Sequence, residues 1–124
     1  MTAEEFADLV DYFARSMCPE PHGGRLADAT RERILGPGRA RDEDAHVGWT
    51  ARSAHELLAE AAAEPADCAA WVVAAFEQAV QEGIVLPILV VADVVRLSAA
   101  LLAAVQRLAD RLPHQTRPSQ EACS

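Results

Sequence analysis

After Thr2, apolar side chains return at Phe6, Leu9, Val10, Phe13 and Met17, the three-and-four spacing that lines one face of an α-helix. Thr2-Ala-Glu-Glu5 has the S/T-x-x-E order of a capping box, so the pattern predicts a helix over residues 3–17. Pro19, Pro21, Gly23 and Gly24 follow, and they read as its stop, because proline breaks the hydrogen-bond ladder and glycine loses most by staying helical. A shorter helix is predicted over 26–35, with Leu26, Ala29 or Thr30, and Ile34 on one side and Gly36-Pro37-Gly38 closing it. Residues 39–48, RARDEDAHVG, have no apolar period and read as an exposed loop.

Helical spacing resumes over 50–64, with Thr50 as expected N-cap and Ser53-x-x-Glu56 as a second capping box. Pro65 is expected to end that helix and to open the next, over 66–82, which Gly83 stops. On that next helix Ala69, Val72, Val73, Phe76 and Val80 share one side, while Asp67, Glu77, Gln78 and Gln81 share another. Trp71 falls at the polar edge, beside Gln78 and Glu82. The last helix, over 87–112, is apolar on most sides, with Asp93, Arg96, Arg107, Asp110 and Arg111 gathered on one alanine-filled arc. Ile84–Val91 has strand-like composition but no second strand to pair with. The polar, proline-broken residues 113–124 read as a flexible tail. The expected fold class is therefore all-α, a compact bundle of four or five helices in a single domain over residues 1–112.

Composition narrows the packing. Half of the 124 residues are apolar but only 5% are aromatic, and 26 are alanine, so small side chains must do much of the work. Lysine and asparagine are absent, and all eleven basic residues are arginine, a bias expected of a GC-rich bacterial gene. The net charge of −8 is uneven: residues 53–83 carry six acids and no arginine, and residues 1–24 carry five acids and one arginine. Phosphate binding needs the reverse, so direct nucleic-acid binding is not expected; Arg25, Arg31, Arg33, Arg39 and Arg41 are its only footprint. The acidic N-terminus is unlike a signal peptide, and Asp93 and Arg96 interrupt the apolar run 84–105, so the expectation is a cytoplasmic protein with no membrane partner.

Few residues offer chemistry. Cys18, Cys68 and Cys123 are odd in number and widely spaced, which suits reduced thiols rather than a disulfide framework. Cys18 and His22 stand at C-x3-H spacing, but a zinc site needs about four ligands and no second pair follows. His46 and His55 join them only if the fold brings them together. Cys18 lies at a helix C-terminus, where the dipole disfavours a thiolate, and Cys68 lies on an apolar stripe. His55-Glu56 begins an HExxH motif that Ala59 breaks.

Trp71 remains as a contact residue, since tryptophan is over-represented at interfaces, unless residues 36–48 or the tail cover it. The leading expectation is a protein–protein interaction protein, an adaptor, inhibitor or accessory subunit without catalysis or cofactor. Its contact residues are Trp71, Asp67, Gln78, Glu82, Glu56 and Glu60, and its partner is a basic protein surface or a second copy, as a homodimer through the alanine-rich face of the last helix. The alternative is a small-ligand or metal-binding protein or enzyme with a pocket formed by Cys18, His22, His46 and His55, and with 36–48 as its lid. A helix-turn-helix regulator built around Pro65 comes third, because its second helix has no arginine to meet phosphate.

Overall fold

The computed structural model describes residues 1–36 and 51–113. The fold is all-α, with four helices and no strand among the described residues. The chain groups into two compact units, residues 1–52 and 53–124, and each is a helical hairpin in its described part.

The first unit pairs α1 (Ala3–Met17) with α2 (His22–Leu35). The capping box forms as the sequence predicts: the Glu5 amide donates to Thr2 Oγ1 (3.1 Å) and the Thr2 amide to Glu5 Oε2 (3.4 Å). Ala3, Ala7 and Ile34 are buried, with Phe6, Val10 and Leu35 packed on them. Small residues at 3 and 7 allow this close approach.

The second helix begins earlier than the expected residue 26, and the glycines are its first turn rather than a stop for the first. Both are buried. A Cβ on Gly23 would lie 2.7 Å from the Cys18 carbonyl oxygen and 2.8 Å from that of Ala14, so only glycine lets α2 start this close to the end of α1. Cys18 itself caps α1, its amide donating to Ala14 O at 3.1 Å.

The second unit pairs α3 (Ala54–Gln81) with α4 (Ile88–Asp110). The two helices expected over 50–64 and 66–82 are one helix that runs through Pro65. An internal proline costs about 3 kcal/mol in helix propensity. Here alanine-rich flanks favour the helix, and the ring is buried against α4, where Ser98 leaves it room. Ser53 is the N-cap, accepting from the Glu56 amide at 3.1 Å; Thr50, the expected cap, lies outside the described residues, as do the whole 39–48 loop and the tail from residue 114.

The α3 side of the hairpin seam is Leu58, Ala62, Pro65, Ala69, Val72, Phe76 and Ala79, alternating four- and three-residue steps. On α4 it is Val91, Val94, Ser98, Leu102, Val105 and Ala109. All are buried or half-buried. This is the heptad geometry of helices crossing at a small angle. The turn ends α3 in a Schellman motif: Gly83 adopts φ 73°, its amide donates to Val80 O (3.2 Å) and the Ile84 amide to Ala79 O (2.8 Å).

Candidate functional site

Continuity through Pro65 changes what the sequence-predicted contact residues are. Glu56 and Glu60 were expected on a different helix from Asp67, Trp71, Gln78 and Glu82. On the single α3, positions 56, 60, 67, 71, 78 and 82 alternate steps of four and seven, which confines them to an arc of about 80° at 100° per residue. They form one flank. Trp71 is 75% exposed, Gln78 Nε2 donates to Glu82 Oε1 at 3.3 Å, and Glu56 binds back to the cap by accepting from Ser53 Oγ at 3.2 Å.

Beside that flank lies a feature that sequence reading missed. One residue before the seam, α4 carries a second stripe of Val90, Asp93, Leu97, Leu101, Ala104 and Leu108, in three- and four-residue steps and apolar except at Asp93, which pairs with Arg96. α3 does the same with Leu57, Ala61, Glu64, Cys68, Trp71 and Ala75. A shift of one residue turns the helix by about 100°, so each helix has two seams roughly at right angles. The hairpin uses only one.

The two second stripes share one face. Glu64, Pro65 and Cys68 of α3 line a shallow groove of about 390 Å³ with Val94, Leu97, Ser98 and Leu101 of α4. The groove is open and the stripe unburied: Leu97 is 69% exposed, Leu101 53% and Leu108 59%. By length and composition α4 is also apolar enough to cross a membrane, its most apolar window having mean hydropathy 2.3. The signal for the stripe was present in the sequence as repeated four-three spacing, hidden because α4 is apolar on most sides.

The alternative ligands fare differently. Cys18 is half-buried in an apolar notch with Phe13, Met17 and Leu26, and His22, exposed at the start of α2, does not line it. The His55 ring donates from Nε2 to the Pro113 carbonyl oxygen at 2.6 Å, tying the start of α3 to the residues after α4 and occupying that nitrogen. His46 lies outside the described residues, as does Trp49. Among the described residues no group of three or more His, Cys, Asp and Glu side chains is placed to hold a metal ion.

Of the arginines expected to offer a phosphate footprint, Arg31 is engaged in ion pairs, and Arg39 and Arg41 lie outside the described residues. Arg31 donates to Asp8 (2.7 Å) and sits 3.8 Å from Asp11, while Arg15 pairs with Asp11 (3.0 Å) and Asp28 (3.2 Å). The hydrogen bond that Arg31 donates to the Asp8 carboxylate raises the pKa of its guanidinium above the usual value. These pairs link α1 to α2 at the surface. On α4 Arg96 pairs with Asp93. A helix-turn-helix around Pro65 is excluded, since no turn exists there.

Comparison with known proteins finds no matching family model, and no significant match among curated proteins or solved structures. The class defined by fold and site is an all-α protein with a helical hairpin that presents an apolar face and an acidic flank.

Proposed function

We propose that the chain is an interaction protein with no catalytic chemistry of its own, an adaptor, inhibitor or accessory subunit, and that the α3/α4 hairpin is its contact unit. The observation that carries this is the second apolar seam on both helices, with Trp71, Leu97 and Leu101 all more than half exposed. A hairpin whose own seam fully buries only Pro65, Ala79, Ser98 and Val105, and leaves its larger side chains half-buried, gains little by itself, because burial stabilises by roughly 25 cal/mol per Å². Its apolar face is completed by assembly. The occupant is a second copy, as developed below; Trp71, shared by the flank and the second stripe, faces it, and the carboxylates of the α3 flank stay at the outer edge, the surface offered to a partner of basic character.

The test is the native size of the full-length chain in extract of the cells that make it. The reading expects elution well above a 13.3 kDa monomer, and return to monomer size for Leu97→Glu with Leu101→Glu. Trp71→Ala, which removes an exposed side chain and leaves the seam intact, weakens the same assembly. A wild-type chain running as a monomer in extract would overturn the reading.

A further inference from the structure

We infer that the occupant of the apolar face is a second copy of this chain, two α3/α4 hairpins closing a four-helix bundle with both turns at the same end. This rests on the interaction reading and names its partner. Three observations converge on it.

The first is geometric. In a square four-helix bundle each helix meets two neighbours about 90° apart, and a helix with two heptad seams displaced by one residue, about 100°, is shaped for that position. Both α3 and α4 have such a pair of seams, and both second seams lie on the side of the hairpin that bears the groove between Cys68 and Leu97. An identical hairpin presents the same seams and is self-complementary about a two-fold axis.

The second is size. At 1.5 Å per residue the 23 residues of α4 run about 35 Å, and two helices side by side span about 20 Å, a face of roughly 700 Å². Stable interfaces bury roughly 600–1,000 Å² per partner, a range that includes this face.

Charge then chooses the orientation. α3 carries Glu56, Glu60, Glu64, Asp67 and Glu77 and no basic residue, whereas α4 balances Asp93 and Asp110 with Arg96 and Arg107 and is followed by Arg111. With the turns at the same end, a two-fold axis along the bundle sets each α3 beside the partner's α4. With turns at opposite ends it sets each α3 beside the partner's α3, five carboxylates against five. The first arrangement is favoured. A bilayer would leave Glu64, which lies within the α3 stripe and lines the groove, facing hydrocarbon with no water to solvate its charge.

Sedimentation equilibrium of the purified full chain measures the mass, and a spin label at Val85→Cys measures the orientation. Val85 is 92% exposed in the turn, and Cys18, Cys68 and Cys123 are replaced by serine for this variant, with far-UV circular dichroism confirming its helix content. The inference expects twice 13.3 kDa, reduction to monomer by Leu97→Glu with Leu101→Glu, and a label separation within about 25 Å. A dimer with labels roughly 40 Å apart, the length of the hairpin, overturns the same-end arrangement. A dimer indifferent to the double variant overturns the interface. A purified monomer overturns self-association; if the chain in cell extract is then still a larger species that Leu97→Glu with Leu101→Glu dissolves, the interaction reading survives without it. A monomer that floats with phosphatidylcholine vesicles assigns the face to lipid and overturns the inference.

Discussion

Adjacent glycines at the start of α2 should respond in opposite directions to the same substitution. In Gly23→Ala the new Cβ meets two backbone oxygens of α1, Ala14 O at 2.8 Å and Cys18 O at 2.7 Å, with Cys18 Cβ at 3.3 Å. Neither carbonyl can rotate away, because Ala14 O accepts from the Cys18 amide and both belong to the end of a helix. Overpacking of this kind costs about 1–3 kcal/mol, against a gain of about 0.5–1 kcal/mol for alanine over glycine in a helix. The net loss is about 1–2 kcal/mol. In Gly24→Ala the nearest atoms are Glu20 Oε2 at 2.9 Å and Arg15 Nη1 at 3.3 Å, the far ends of side chains that can swing into water. The helical gain is then kept, about 0.5 kcal/mol. Thermal unfolding followed by far-UV circular dichroism reads both, since about 1 kcal/mol moves the midpoint of a small domain by about 4–8 °C. A Gly23→Ala chain as stable as Gly24→Ala would refute the close crossing of α1 and α2.

Thr2→Ala removes the capping-box acceptor and should cost about 1 kcal/mol, seen as faster amide exchange in the first turn of α1. Gly83→Ala forces a side chain into φ 73° with no steric neighbour within 4 Å, so its cost of about 1–2 kcal/mol is purely backbone strain and appears as a lower unfolding midpoint. Pro65→Ala restores a helical hydrogen bond worth about 3 kcal/mol in propensity and gives up roughly 2 kcal/mol of ring burial; a net gain near 1 kcal/mol in denaturant unfolding is expected.

Where local chemistry decided the structure, the sequence was readable. Thr2 with Glu5 and Ser53 with Glu56 each specify a helix start through a side chain reaching three residues along; the first start is where the pattern puts it, and the second is set by Ser53, at Ala54 rather than at the expected residue 50. It was misread where tertiary contact decides. Gly23 and Gly24 look like punctuation in one dimension; the meaning of Gly23 comes from Ala14, nine residues back, which only the crossing of two helices brings near. Pro65 looks like a break, but burial against α4 and alanine neighbours carry the helix through. The candidate contact residues on 66–82 were legible from periodicity, and their alignment with Glu56 and Glu60 was not, because it depends on that continuity. The second stripe of α4 was masked by apolar residues on its other sides, and choosing between them requires knowing which side α3 occupies.

The most direct test of the central claim watches the contact face itself. Trp49→Phe leaves Trp71 as the only tryptophan, and acrylamide quenching of its fluorescence is measured across protein concentration. The account predicts that quenching falls several-fold and emission shifts to the blue as the chain assembles, and that adding Leu97→Glu with Leu101→Glu keeps Trp71 fully accessible. A Trp71 as accessible at the highest concentration as in that triple variant would contradict it.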